Sequence, residues 1–450
     1  MFEGCTPTRP DMKSTQHSIQ NGQSPMNTKL HRLFSLIALL AVSFAVPVTS
    51  LAIDSGSDGS DGALSFPASA GTIVFDPVAL GLDPDGDLIF HFTTIDIPSG
   101  TTVRLTSNEM GEGRPVIWLA TGDVTIDGVL NLDGSTGHAL NATTQVRAAA
   151  GAGGYVGGLG QSTTGPATAG NGPGGGMPLA GSRGAGGGHR DRGFRDQQTS
   201  DFGGIAYGNR FQLPPTGGSG GSGGSLISGV SAAGGGGGGG SITIASSGSI
   251  IFSSTADIFA RGGNGGSAPQ IQAYLGGGGA GGSVRLVADV ISGAPDIDVR
   301  GGFGVGNSTL NRGGHGWIRI EALTPTFMST ADLDPLASYG HPGPILLPAS
   351  APQVRVTQVG TDLVTNPSTG SFETPDVTID EAVPVTITLE ANRVPIGTTI
   401  SVTVRAEDGA TVNLTSTPLA GTFETSTATA GPVTLPHGFT RFTVHATFSP

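Results

Sequence analysis

Short segments in which every second residue is apolar recur along this chain, separated by runs of glycine. The clearest stretch runs from about Gly234 to Leu323, where one phrase is spoken more than once. A glycine run ends in a polar or aromatic residue and two alternating apolar residues, and after a gap comes Asp-Ile-x-small-Arg-Gly-Gly. Ile242 and Ile244 correspond to Val284 and Leu286, and to Ile318 and Ile320. Asp257-Ile258-Phe259-Ala260-Arg261 corresponds to Asp296-Ile297-Asp298-Val299-Arg300. A more degenerate copy sits at Val124-Thr125-Ile126, followed by Leu130-Asn131-Leu132-Asp133-Gly134. A loose period of this kind predicts a repeat architecture. Alternation places every second side chain on one face, and strands this short need neighbours to be stable. With glycine at the corners, the prediction is an all-β fold: a glycine-rich parallel β-helix or solenoid over residues 53–323.

The long glycine-rich stretch, about 135–240, reads as loops thrown out from the rungs. Such runs fit extended glycine helices of the polyproline II type, which need no side chains, and they equally fit flexible linkers. Upstream, residues 72–110 alternate in the manner of strands and would cap the stack, and PVIWLATGDVTIDGVLNLDG reads as its first rungs. Residues 324–350 are proline-rich and aperiodic, the mark of a linker or edge covering. After Ala351 the glycine runs stop and short strands arrive at regular spacing, with Val385, Ile387 and Leu389 on one face. That pattern predicts an immunoglobulin-like (Ig-like) β-sandwich over 351–450, without the cysteine pair and core tryptophan of antibody domains.

Composition narrows the class. Glycine supplies 78 of 450 residues, and 12% are charged, which excludes a helical bundle or coiled coil. Residues 1–52 read as a leader with a signal peptide. Lys29, His31 and Arg32 form a basic start, Leu33 to Val46 an apolar core, and Ser50-Leu51-Ala52 a cleavage site after Ala52. Met26 is then the expected start of translation. An uncleaved anchor is the competing reading, but the core is short for a span. The expectation is export to the extracellular space, cell surface or periplasm, with no membrane span in the mature chain. Cys5 is the only cysteine and lies in the leader, so the mature chain would have no disulfide or thiol chemistry. Beyond the leader every basic residue is arginine, and acids outnumber them. Such a surface argues against nucleic acid as a partner and leaves polysaccharide or a cell-surface protein.

Candidate chemistry is sparse. Asp83, Asp85 and Asp87 alternate on a glycine turn and could converge on calcium, the one cofactor suggested. The pattern departs from an EF-hand loop, with Leu88 in the place of the turn glycine and Thr94 in the place of the bidentate glutamate. An Asp/Pro/Gly turn between strands explains it as well. A charged and aromatic island inside the low-complexity region offers Arg190, Arg192, Phe194, Arg195 and Tyr207 as a ligand-binding loop, or as a solvated loop with Arg–Asp pairs. In stacked rungs the repeated Asp257/Arg261 and Asp296/Arg300 pairs would align Asp over Asp and Arg over Arg, or form a cross-rung ladder of ion pairs, and they suit either a sugar-cleaving groove or a repeated corner residue. Repetition favours the corner, because a catalytic group is needed once and a corner residue every turn. No HExxH or GxxxxGK[ST] motif occurs, and no catalytic residue is assigned.

The residues HFTTIDIPSGTTVRL and RPVIWLATGDVTIDGVLNLDG, with the GGAGGSVRL unit, resemble a group of exported, glycine-rich bacterial proteins. The rung pattern is more distantly similar to the right-handed β-helix of the pectate-lyase superfamily. That likeness implies a fold and no activity, since nothing here matches the lyases' calcium-binding aspartates or catalytic arginine motif. The tail is similar to Ig-like modules of cell-surface proteins. Together these readings predict a secreted or cell-surface structural or adhesion protein without catalysis. The alternative is a carbohydrate-active β-helix enzyme or polysaccharide-binding protein.

Overall fold

The computed structural model describes residues 53–140, 142, 144–195, 203–225, 231–267, 275–304, 310–325, 331–366, 368–379, 383–435 and 441–447. The expected start at Met26 and the cleavage after Ala52 lie outside the described residues. Residues from Ala52 onward belong to one compact unit. It is nearly all β, with two four-residue helices, α1 (Pro77–Leu80) and α2 (Ser107–Met110), among the described residues.

The first fifteen strands are β1 (Gly62–Ser65), β2 (Gly71–Val74), β3 (Ile89–Ile97), β4 (Thr101–Arg104), β5 (Val116–Ala120), β6 (Val124–Ile126), β7 (Val129–Asn131), β8 (Ser241–Ser246), β9 (Ser249–Phe252), β10 (Asp257–Phe259), β11 (Ser283–Ser292), β12 (Asp296–Asp298), β13 (Trp317–Pro325), β14 (Asp332–Asp334) and β15 (Ser338–Gly340). All pairings described among them are parallel. Ile242 lies beside Val284, and Val284 beside Ile318; Asp257 lies beside Asp296.

The expected solenoid is nevertheless not the architecture found. Six parallel strands close into a ring in the order β3, β5, β8, β11, β9, β6. Closure follows from two long strands. Residues 89–92 of β3 pair with β5, and 95–97 pair with β6. Residues 283–287 of β11 pair with β8, and 290–292 with β9. Each long strand turns a corner where its alternation slips: Phe92 and Ile95 both point inward, while Thr93 and Thr94 between them are exposed. A second parallel sheet, in the order β14-β12-β10-β7-β4-β2, lies alongside. One apolar core fills the space, built on Phe75, Phe90, Phe92 and Trp118 at one end and on Ile318 and Ile320 at the other. The Phe75 ring meets Phe90 and Trp118 edge-on, each at 5.3 Å.

The described part of the glycine-rich stretch is a packed layer. Its chain segments are extended but hydrogen-bond in three directions. In residues 234–240 the amides of Gly235 and Gly238 donate to Gly158 and Tyr155. Those of Gly236 and Gly239 donate to Gly277 and Ala280, and those of Gly234, Gly237 and Gly240 to His138, Ser135 and Leu132. A period of three is that of a polyproline II helix. This helix is buried on all three sides, so each of its seven positions is glycine. A Cβ on Gly236 would sit 2.0 Å from the Gly263 carbonyl oxygen, and one on Gly235 would sit 2.0 Å from that of Gly221.

The tail continues with β16 (Gln353–Val359), β17 (Asp362–Leu363), β18 (Val377–Thr378), β19 (Pro384–Asn392), β20 (Ser401–Ala406), β21 (Thr411–Thr415), β22 (Ala420–Gly421), β23 (Ser426–Thr434) and β24 (Arg441–Thr447). They form two antiparallel sheets, ordered β17-β16-β19-β23-β22 and β18-β24-β20-β21, around a second core. The expected class, a β-helix solenoid followed by an Ig-like sandwich, is thus replaced by a closed parallel ring, a glycine layer and two antiparallel sheets. The tail is fastened to the glycine layer by Arg405, which donates to the carbonyls of Gly172 and Gly175. Burial pulls the Arg405 guanidinium down to about 10. Arg147 adds an ion pair to Glu407 at 2.6 Å.

The layer predicts a contrast between two glycines. Gly236→Ala should cost about 3 kcal/mol or more, because backbone cannot move aside as a side chain can. Gly165→Ala, where nothing lies within 4 Å of the new Cβ, should leave the unfolding midpoint unchanged. Thermal unfolding of the two variants checks this, and equal midpoints would contradict the packed layer.

Candidate functional site

The most organised set of charged residues borders the second parallel sheet. Its register stacks Asn131, Phe259, Asp298 and Asp334 in one column. Two residues further along the chain come Asp133, Arg261 and Arg300. The side chains zigzag between the two columns. Arg261 Nη2 reaches Asp133 Oδ2 at 2.6 Å, and its Nη1 lies 3.9 Å from Asp298 Oδ2. Arg300 Nη2 reaches Asp298 Oδ2 at 2.6 Å, and its Nη1 reaches Asp334 Oδ2 at 3.3 Å. The Nε of each arginine also donates to the same carboxylate, making both contacts bidentate. Arg261 lies over the Phe259 ring at 4.2 Å. The hydrogen bonds that Arg261 and Arg300 donate to Asp133 and Asp298 hold both guanidiniums above their ordinary range, so neither is suited to act as a base.

The alignment of aspartate over aspartate expected from the repeat is present, but the carboxylates that hold the arginines are Asp133 and Asp298. Asp257 and Asp296 lie four residues from their arginines, about 13 Å along an extended strand, whereas residues two apart are about 7 Å apart. They stack on each other and on Asp332. Burial raises the Asp296 carboxyl, and the charges of Asp332 and Asp257 add to it. Asp133 and Asp298 were visible in the repeat but not as partners, since Arg261 is 128 residues from Asp133.

Beside this ladder opens a pocket of about 380 Å³. Asp133, Arg261 and Arg300 form one wall, and Thr136, Asn264 and Phe303 the rim. Its floor is glycine backbone, including Gly262, Gly263, Gly301 and Gly302. Asn264 Oδ1 accepts from the Phe303 amide at 2.8 Å and so holds the aromatic residue in place. Sequence reasoning missed Thr136, Asn264 and Phe303; their one signal is proximity to the repeated Arg-Gly-Gly or Asp-Gly.

The Asp83, Asp85 and Asp87 triad is brought together, with one ligand atom from each within 4.8 Å of the others. Such a group could hold a metal. The turn also employs these carboxylates itself. Asp83 Oδ1 accepts from the amides of Asp87 and Leu88, and Asp87 Oδ1 from Ile89. Leu88 takes the left-handed conformation, φ 62°, at the position where an EF-hand has glycine. Burial raises the Asp83 carboxyl.

The charged island is not gathered onto one face. Arg190 lies 5.7 Å over the Trp317 ring and 3.7 Å from Asp191. Arg192 and Phe194 are exposed, whereas Arg195 is buried. The Tyr207 hydroxyl points inward, donating to the Gly217 carbonyl and accepting from Ser219. Its ring lies 4.9 Å from that of His189. His189 is fully buried. Its Nδ1 donates to the Gly281 carbonyl at 2.7 Å, so its Nε2 accepts from Thr216 at 3.1 Å. Burial lowers the imidazole to about 4, which marks a structural group rather than a proton shuttle.

No helix among the described residues is long and apolar enough to cross a membrane. Comparison with known proteins adds no relative: no family model, no curated protein and no solved structure matches this chain, and the resemblances drawn above gain no support from them.

His189 sets a pH dependence. Above pH 6.5 it is neutral in both folded and unfolded chains. Below that, the unfolded chain takes up a proton that the folded one refuses until about pH 4. Stability is therefore lost as pH falls from 6.5 to 4, by on the order of 3 kcal/mol from this group. Urea unfolding at pH 7.5 and 4.5 should show a smaller loss in His189→Gln than in the parent chain.

Proposed function

We propose that this chain is an exported, cell-surface or secreted structural or adhesion protein that performs no chemistry. The observation that supports this reading is the ladder Asp133–Arg261–Asp298–Arg300–Asp334. Its charged groups follow the strand register and are engaged with one another, as corner groups of a rigid support would be. A catalytic arrangement needs a group held ready for substrate, and both ladder arginines are instead pushed away from the range useful for proton transfer. The glycine layer suits a rigid stalk, since its backbone hydrogen bonds are internal and leave few flexible side chains. The leader motif ending at Ala52 supports export. A polysaccharide or a cell-surface protein is the proposed partner, and calcium the proposed ion for Asp83, Asp85 and Asp87.

Incubation of the purified chain with a panel of polysaccharides, read by release of reducing or unsaturated ends, should give no product. Turnover that disappears in Asp298→Asn or Arg261→Gln would overturn the structural reading in favour of a carbohydrate-active enzyme. For the ion, added chelator should lower the melting temperature of the parent chain and leave Asp85→Asn/Asp87→Asn unmoved. A parent chain indifferent to calcium and chelator would remove calcium from the proposal.

A further inference from the structure

We propose that the pocket beside the arginine–aspartate ladder is a binding site for a neutral saccharide chain, held without cleavage between the ladder and Phe303. This deepens the adhesion reading and rests on it. The chemistry of the walls selects the ligand class. Arg261 and Arg300 each commit one edge to an aspartate, yet their side chains remain 40% and 49% exposed, with the Nη1 edges less tightly engaged at 3.9 and 3.3 Å. Asp133 lines the same wall beside these guanidiniums, so donors and a carboxylate acceptor lie side by side in the pocket. A ligand with vicinal hydroxyls can accept from a guanidinium and donate to the neighbouring carboxylate at once, which a simple ion cannot.

Charge excludes the alternatives. The ladder carries three aspartates against two arginines, and the Asp257, Asp296 and Asp332 column adds further negative charge on the same sheet. Neither an anionic polymer nor a cation meets a wall of one sign, since each guanidinium is already matched to a carboxylate. A neutral polyol needs no such wall. Phe303 on the rim supplies an aromatic ring against which the apolar face of a sugar can lie, and Asn264 orients its backbone. The floor is set by the glycine layer, where a Cβ on Gly262 or Gly302 would meet a carbonyl oxygen at 1.9 and 2.0 Å. Thr136 and Asn264 are exposed at the rim, available to further hydroxyls.

The test is titration calorimetry of the full chain with cellohexaose, maltohexaose and xylohexaose, alongside hexagalacturonate as the anionic control. At least one neutral hexamer should bind, and Phe303→Ala should weaken it about tenfold, or about 1.4 kcal/mol. Thr136→Val, an exposed and nearly isosteric change, should weaken it about threefold with an unaltered melting temperature. It decides the matter should Phe303→Ala fail to fold. Lack of binding by all three neutral hexamers overturns the proposal, as does binding unaffected by Thr136→Val and Phe303→Ala in folded protein. Preference for hexagalacturonate overturns it as well. Lack of binding leaves the non-catalytic reading in place, whereas cleavage of a bound hexamer defeats that reading and keeps the site.

Discussion

The constraint on which this structure depends is the exclusion of side chains from the interior of the glycine layer. A polyproline II helix offers three faces, and in residues 234–240 all three are taken by other backbone segments. With neighbouring carbonyl oxygens about 2 Å from where a Cβ would stand, no other residue fits. The amides and carbonyls are satisfied between segments rather than by water, so a region with almost no apolar side chains is nevertheless buried. Glycine's large conformational entropy loss on folding is the cost, and dense backbone hydrogen bonding offsets it.

The layer also sets the stage for its neighbours. The segments that leave the second parallel sheet enter it directly, Arg261 and Arg300 standing at the point of entry with Gly262 and Gly301 behind them. The ladder therefore marks the seam between side-chain packing and backbone packing. On the ring's outer face a different solution appears. Arg285 is completely buried, pairs with Glu321 at 3.0 Å and donates to the carbonyls of Pro344 and Ile345. Arg319 holds the other Glu321 oxygen at 3.0 Å. Burial alone would raise the Glu321 carboxyl, but the Arg285 hydrogen bond and charge prevail and hold it low. Part of the proline-rich stretch is thereby fastened over the sheet.

The tail is attached by a similar device with a different counterpart. Arg405 projects from β20 into the glycine layer, where peptide carbonyls rather than a carboxylate receive it. Backbone oxygens can solvate a buried cation because glycine leaves them accessible. Asn171 joins the same seam through Ser371, at 3.0 Å. Each connection is polar and specific in position, so it orders two apolar cores relative to a layer that has none.

The sequence by itself determined the repeated strands and their alignment with one another, though not β14 and β15, which fall in the stretch read as a linker. Alternating residues such as Ile242, Val284 and Ile318 carry that information locally, and near-identical phrases align with one another. It also determined which residues would be charged and near the corners, including Arg261 and Arg300. Tertiary structure alone decided three things. Closure of the ring depends on where β3 and β11 slip their alternation, a two-residue feature that periodicity averages away. The ladder's pairing depends on reach between columns, so Arg261 chose Asp133 over the aspartate four residues before it. The order of the glycine stretch depends on neighbours far along the chain, as with Gly235 on Gly158 and Gly236 on Gly277. Glycine has no side chain with which to name a partner, so a helix of this kind and a flexible linker are spelled alike until packing distinguishes them.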